Sequence, residues 1–421
     1  MRSLLRVCVS VLFVVAGAWC GFAQGVVAEW LDHATTAIVV NARKDPATSN
    51  VYLAYTAVAM YDAASAVDGH FKPFAVTVTS PAGARVDAAV IAAAHDVLAH
   101  YFPDQQSALD AEQAASLGAI DDGQAKSDGI HVGKSVAAQW IRMRSGDGLE
   151  AKVTYTPGHG PGVWEPIPNV PAPAPNFTPP PAAPWFTQFR PFALKSPNQF
   201  ISALDQPYAL ASAEWAADYN LTKDYGAQKS AYRTPQQTEI ALFWTDGPGQ
   251  IVRVLSSLIE ARNLDTASAA RMSAMVFVSI ADGFAAAMSA KYHFAFWRPY
   301  TAIRNADTSV NPATVPDKGW IPLAATPGHP EYPANHGCVT QAFMDALTAF
   351  FGTGEVSITF TSNITHTTHT FTNLQDVVRE VDNARVYGGM HYRHSVLQGN
   401  VLGRMVASYV CMNYFQPIQP M

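Results

Sequence analysis

Three short segments in the last third of the 421-residue chain combine residue types that bind a tetrahedral anion. Lys291 is followed seven residues later by Arg298, and Arg385 is followed six residues later by His391. Between these pairs, His336 comes directly after a turn. Arginine offers a planar fork of donors that matches oxyanion oxygens, and lysine adds a compact positive charge. These residues therefore predict a site for an oxyanion such as phosphate or vanadate.

The local sequence also predicts how these side chains converge. If one helix contains both Lys291 and Arg298, the two side chains project from the same face two turns apart, and Pro299 marks the end of that helix. The arginine and histidine of the last segment cannot share a helical face at their spacing. Gly388-Gly389 lies between them and supplies a turn that can direct both inward.

The ordered pattern Lys-x6-Arg-Pro, Pro-x-x-His and Arg-x5-His resembles that of vanadium-dependent haloperoxidases and the type 2 phosphatidic acid phosphatase superfamily. VAMYDAASAV (58–67), GPGVWEPIP (160–168) and IADGFAAAMSAKYHFAFWRP (280–299) are similar to the haloperoxidase branch. The resemblance therefore extends over nearly all of the chain that follows the N-terminal segment. It implies a bacterial exported enzyme with an all-α fold of helical bundles. It also implies vanadate as cofactor and the oxidation of a halide by hydrogen peroxide.

The resemblance implies a role for each residue that matches the family pattern. The implied oxyanion cradle consists of Lys291, Arg298, Arg385 and the backbone amides of Ala334 and Asn335. His391 is implied to bind the vanadium axially through a ring nitrogen, or to be the nucleophile when the ligand is phosphate. His336 is implied to be the general acid and base. In this family vanadate acts as a Lewis acid and keeps its oxidation state.

This chain departs from the family pattern in two places. Pro333-Ala334-Asn335-His336 replaces Pro-Ser-Gly-His, so a serine hydroxyl that bonds the anion is absent, which weakens anion binding by roughly 1.5–3 kcal/mol. The Asn335 side chain can donate a replacement bond. Met288 stands where chloroperoxidases of the family carry a tryptophan, and His329 stands where they carry phenylalanine and bromoperoxidases carry histidine. The second difference favours bromide or iodide as the halide.

Two other functions stay open on these residues. The same pocket suits an acid phosphatase-type phosphomonoesterase that forms a phosphohistidine on His391 while His336 protonates the leaving group. The loss of the serine also fits a catalytically silent oxyanion-binding protein. Halogenation, aryl phosphate hydrolysis and anion binding without turnover distinguish the three functions. The organic acceptor and the oligomeric state are left open by the sequence.

Composition indicates a globular enzyme with small partners. A content of 49% hydrophobic and 14% charged residues predicts a large buried core. The chain has 27 basic and 33 acidic residues and no long basic run, which argues against a nucleic-acid partner. The expected partners are hydrogen peroxide, a halide and a small organic acceptor. The apolar stretch 272–290 is interrupted by Asp282 and Gly283, so a buried helix is predicted there and no membrane span is expected after the N-terminal segment.

The chain divides into four parts by composition. Residues 1–23 have two arginines, an apolar run and small residues at cleavage spacing, which predicts a signal peptide and a periplasmic or secreted protein. A helical part, 24–156, precedes a connector, 157–200, whose residues 157 to 184 include 11 prolines. The second helical part, 201–421, holds the predicted oxyanion site. One integrated domain over residues 24–421 is expected.

Local patterns predict the individual elements. Thr234-Pro235-Gln236-Gln237 predicts a capping box at the start of a helix. Residues 355–372 are rich in β-branched side chains with alternating polarity, which predicts a short hairpin. Cys338 and Cys411 are the two cysteines that remain after the N-terminal segment is removed, and their pairing is left open. Helical periodicity is found in the stretches 26–42, 49–67, 86–101, 124–144, 250–263 and 266–290.

Overall fold

The computed structural model describes residues 25–168 and 179–418, and within these ranges the chain is mostly helical with one antiparallel hairpin. The predicted signal peptide, residues 1–23, lies outside the described residues. The N-terminal helices are α1 (Val26–Thr35), α2 (Pro46–Asp68), α3 (Val86–Tyr101), α4 (Gln106–Gly118) and α5 (Gln124–Arg144). After the connector come α6 (Ala213–Gly226), α7 (Pro235–Phe243), α8 (Gly249–Ala261), α9 (Thr266–Phe294) and α10 (Pro299–Asn305). The last elements are α11 (Asn335–Phe351), strands β1 (Ile358–Thr361) and β2 (Thr368–Phe371), α12 (Leu374–Tyr387) and α13 (Arg393–Asn413).

The predicted all-α fold with a hairpin near the C-terminus is confirmed. Helices α3 and α5 have the bounds that periodicity predicts, and α7 begins with the predicted capping box at Thr234. Helix α1 is continued by a π-helical turn, Thr36–Asn41. The sequence did not indicate α4. Only Leu109 and Ser116 of that helix are buried, so α4 carries little of the apolar periodicity by which a helix is recognised.

Two long helices, α2 and α9, pack against each other in the centre of the fold. Helix α9 is long and apolar enough to cross a bilayer, but its apolar window is entirely buried inside the protein, as predicted for a core helix. Each of the two helices carries one fully buried aspartate, Asp62 on α2 and Asp282 on α9. Each carboxylate accepts hydrogen bonds from three successive backbone amides, those of 74–76 and of 192–194.

Asp282 fixes the end of the connector onto α9. Its carboxylate lies 2.6 Å from the amide nitrogen of Phe192 and 2.9 Å from that of Leu194. We expect Asp282→Ala to lower the free energy of unfolding by about 3 kcal/mol, because three buried amides lose their acceptor. Denaturant unfolding measures the change, and the exposed Asp121→Ala serves as the control. Equal stability of the two variants would contradict this role.

Close packing of α13 against α11 fixes where α11 begins. A Cβ atom on Gly399 would lie 2.4 Å from the carbonyl oxygen of Ala334, and one on Gly403 would lie 2.1 Å from that of Cys338. Larger residues would therefore push the helices apart at these two positions. Cys338 and Cys411 are both free thiols in this arrangement. The contact holds the first turn of α11, which carries His336, against the last helix.

Candidate active site

Lys291 and Arg298 both reach one buried site, but they do so from different elements. Helix α9 ends at Phe294, and Ala295 adopts a left-handed conformation with φ +48° that turns the chain. Arg298 is the residue that precedes α10, and Pro299 is its first residue. The prediction of one helix that carries both cations and ends at Pro299 is therefore wrong. Proline fits the first turn of a helix because its missing N–H would have no partner there.

Arg298 is fully buried and holds three segments of the site together. Its Nε donates to the carbonyl oxygen of His329 (2.9 Å) and its Nη1 to that of Met390 (2.9 Å). Nη1 also lies 3.2 Å from Nε2 of His391. Lys291 is equally buried, and its Nζ donates to the carbonyl oxygens of Pro330 (3.1 Å) and Glu331 (2.7 Å).

Arg385 lies in the last turn of α12 and points into the same site. Gly389 has φ +72°, and a Cβ atom there would lie 2.4 Å from the carbonyl oxygen of Gly226, so glycine is required at this turn. The turn brings His391 back toward Arg385, as the sequence predicted. Arg385 Nη1 donates to the carbonyl oxygen of Trp244 (3.3 Å), whereas its buried Nε has no partner among the described residues. This N–H is available to a ligand.

His391 is oriented by a carboxylate that no motif in the sequence indicates. Its Nδ1 lies 2.8 Å from Oε1 of Glu331, which also accepts the amide of Tyr392 (3.1 Å). Glu331 is fully buried. Because Nδ1–H donates to the carboxylate, Nε2 carries the lone pair and faces Arg298. Glu331 stands two residues before Pro333 of the predicted turn, and that position is the one signal for it in the sequence.

Burial destabilises the charged forms of the ionisable groups in this site, and the cations also repel one another. Burial, and then Arg298, holds the pKa of Lys291 well below its usual value and lowers that of Arg385 to about 9. Burial also lowers the pKa of Arg298 to about 10 and raises that of Glu331 to about 7. None of the three cations forms an ion pair with a described carboxylate. A bound anion would remove this excess of positive charge.

We expect Glu331→Gln to separate vanadate binding from phosphate binding. The glutamine can still accept Nδ1–H, but the lost negative charge makes Nε2 of His391 a weaker ligand. Affinity for vanadate should fall by about tenfold or more, since such supporting groups typically contribute that much. Phosphate held by the cations alone should bind equally well or more tightly. Competition titrations measure both affinities, with the exposed Glu355→Gln as control. An equal loss for both anions would contradict the role of Glu331.

The start of α11 supplies part of the predicted cradle. The Ala334 amide donates to the carbonyl oxygen of Ser395 (3.0 Å), so this predicted anion donor is already occupied. The first intrahelical bond runs from the amide of Cys338 to the carbonyl of Ala334, which leaves the earlier amides of the helix, from Asn335 onward, free to donate. The Asn335 side chain, expected to replace the serine, lies instead with Nδ2 3.2 Å from Sδ of Met288.

His336 is half-buried, and its ring makes no hydrogen bond to any described residue. Burial, and then Arg385, holds its pKa well below 6.5, so the ring is neutral at pH 7. His329 is buried beside it, and its Nδ1 lies 2.9 Å from Nη2 of Arg298 and 3.1 Å from the carbonyl oxygen of Pro330. Arg298 can only donate to this nitrogen and the carbonyl of Pro330 can only accept from it, so the two contacts favour opposite tautomers of the ring. His329, His336 and His391 line one cavity of about 510 Å³.

The chain is similar to known proteins in its C-terminal part and in its fold. The family model described as the VCPO second helical-bundle domain matches residues 271–420, which contain the whole candidate site. No curated protein matches the sequence.

Solved structures match over most of the chain. A bacterial vanadium-dependent iodoperoxidase has a TM-score of 0.76 at 21% identity, with 93% of this chain and 98% of that chain covered. A holo-type bacterial vanadium-dependent chloroperoxidase has a TM-score of 0.70 at 17% identity, with 93% and 96% covered. An apo-type bacterial vanadium-dependent chloroperoxidase has a TM-score of 0.66 at 16% identity, with 87% and 94% covered. Residues 271–420 are thus similar to the second helical-bundle domain of this family model, and the chain has the fold of bacterial vanadium-dependent haloperoxidases.

Proposed function

We propose that this chain is a vanadate-dependent haloperoxidase that oxidises a halide with hydrogen peroxide. The observation that carries the proposal is the convergence of Lys291, Arg298 and Arg385, all buried and none paired with a described carboxylate, around Nε2 of His391. Unpaired buried charges cost much free energy, so these residues suit a multiply charged oxyanion. The similarity to structures named iodoperoxidase and chloroperoxidase supports vanadate and halide in particular.

The residues present fit vanadate. Its oxygens would be held by Nζ of Lys291, Nε of Arg385, the guanidinium of Arg298 and the backbone amide of Asn335. Nε2 of His391 would be its ligand. The orphaned Nε of Arg385 and the lone pair held on His391 are what such a ligand requires. When bound, vanadate supplies Lewis acidity that polarises peroxide toward halide, without a change in its own oxidation state.

The protein residues would move the protons. A ring nitrogen of neutral His336 accepts a proton from incoming hydrogen peroxide and returns it to the oxygen that leaves as water. The balanced reaction converts halide, hydrogen peroxide and one proton into hypohalous acid and water. Glu331 keeps His391 in the tautomer whose Nε2 is unprotonated. The burial of all three cations keeps their attraction for the anion strong.

The site residues favour bromide or iodide over chloride. His329 lines the cavity, where its ring can contact a halide, and it stands where bromoperoxidases of the family carry histidine. Met288 lies where chloroperoxidases of the family carry a tryptophan, and it places a polarisable thioether sulfur in the cavity wall.

The test compares protein loaded with vanadate and protein loaded with phosphate. Halogenation of a dimedone-type probe is followed with hydrogen peroxide and iodide, bromide or chloride in turn, and hydrolysis of an aryl phosphate is measured alongside. The proposal expects vanadate-dependent halogenation that is faster with bromide and iodide than with chloride. Steady aryl phosphate hydrolysis without halogenation would instead establish a phosphomonoesterase. Vanadate binding without either reaction would establish a silent binding protein.

A further inference from the structure

The cavity that contains the three histidines is far larger than its small reactants require. Its volume of about 510 Å³ lies within the range of small-molecule sites in proteins, about 300–1,000 Å³. Iodide, bromide and hydrogen peroxide fill only a small part of that space. Most of the wall is apolar and comes from several elements, including Trp244, Ile251, Phe284, Val339, Phe343 and Phe360. Such a wall favours an apolar guest over halide or peroxide.

The charges on the wall exclude an ionic guest outside the oxyanion site. No lysine or arginine is found among the described residues that line the cavity. Its two carboxylates already have partners inside the protein. Asp45 accepts the amides of Ala47 (3.0 Å) and Thr48 (3.1 Å), and Asp246 pairs with Arg253 at 2.7 Å. A carboxylate or sulfonate on the guest would therefore lose its hydration without gaining a partner.

Two buried asparagines on the wall present unsatisfied acceptors. Asn50 on α2 is 2% exposed and Asn335 on α11 is 6% exposed, and the carboxamide oxygen of each has no partner among the described residues. The amide nitrogen of Asn50 donates to the carbonyl of Pro46 (2.8 Å), which fixes the amide and leaves its oxygen as the free group. A guest with an O–H or N–H group can satisfy such an acceptor.

We propose that this cavity is the binding site of the organic acceptor and that it takes a neutral, electron-rich ring with a hydroxyl or N–H group, such as a naphthol or an indole. The inference rests on the proposed haloperoxidase function. An aromatic guest buries about 150–250 Å² and so gains from the apolar wall. A ring carbon forms its bond to the halogen of hypohalous acid as the halogen–oxygen bond breaks. The ring proton then leaves with the hydroxide as water.

Binding of 2-naphthol to vanadate-free protein tests the cavity without any turnover. Ala47→Trp on α2 and Ile251→Trp on α8 fill it from two different elements, outside the oxyanion site. Calorimetry should show that each variant binds 2-naphthol about tenfold more weakly than the unchanged protein, a loss of about 1.4 kcal/mol. Val401→Trp, on the exposed side of α13, is the matched control and should leave the affinity unchanged.

Competition between two acceptors tests the role of the cavity in the reaction. With vanadate, peroxide and bromide, the ratio of halogenated 2-naphthol to halogenated phenol-4-sulfonate should exceed that given by added hypobromite. In the two filled variants this ratio should fall to the hypobromite value, while triiodide formation from iodide stays unchanged. Halide oxidation without naphthol binding or selectivity would overturn the acceptor site alone. Naphthol binding without halide oxidation would overturn the proposed function and the acceptor role with it.

Discussion

Replacing His391 with alanine is expected to abolish vanadate-dependent halide oxidation and to leave phosphate binding largely intact. Nε2 of His391 lies 3.2 Å from Nη1 of Arg298, and Glu331 holds its lone pair in place. Without it, vanadate would keep its charge contacts but lose its protein ligand. We expect the halogenation rate to fall by about 1,000-fold or more, as when a central catalytic group is removed.

Two controls separate this loss from misfolding. His131→Ala, at an exposed position on α5, should retain full activity. Phosphate affinity of His391→Ala should stay within about tenfold of the unchanged protein, because the three cations remain. Normal halogenation by His391→Ala would rule out its proposed role. A joint loss of phosphate affinity and thermal stability would assign the residue to folding instead.

Replacing His336 with alanine should slow halide oxidation by about 100-fold to 10,000-fold, the range for a general acid or base. Its pKa is held well below 6.5 by burial and by the cations, of which Arg385 contributes most. The neutral ring is the active base, so activity of the unchanged protein should fall as pH drops through this lowered pKa. That acidic limb should be missing from the pH profile of His336→Ala.

The pH profile distinguishes a proton-transfer role from a structural one. A variant with a purely structural defect would be slower at every pH but would keep the acidic limb of the profile. Vanadate affinity is measured in parallel. It should stay unchanged in His336→Ala, because the ring of His336 makes no hydrogen bond to any described residue and its loss should leave the cradle intact. If the limb persisted in His336→Ala, another group would have to carry the proton.

The sequence predicted the residues of the site better than it predicted the helix ends and contacts that position them. Lys291, Arg298, Arg385 and His391 converge as expected from their types and spacing. The assignment of Arg298 to the end of α9 failed because a left-handed Ala295 ends the helix early, and alanine carries no sequence signal for that conformation.

Contacts between distant parts of the chain explain what the sequence could not show. Glu331 contacts His391 although the two are 60 residues apart in the sequence, and a single acidic residue has no spacing pattern that indicates this pairing. The Ala334 amide is occupied by the carbonyl of Ser395, a partner that is set only when α13 packs against α11. The cavity wall likewise combines side chains from α2, α8, α9, α11 and the connector, which no local pattern could identify.

A crystal structure of the protein soaked with vanadate would locate vanadium independently of turnover and so show whether His391 is its ligand. We predict a single vanadium atom bonded to Nε2 of His391, with Lys291, Arg298 and Arg385 around its oxygens. Glu331 should keep its bond to Nδ1. Vanadate bound elsewhere, or held in the site without a bond to His391, would contradict the proposed role of His391.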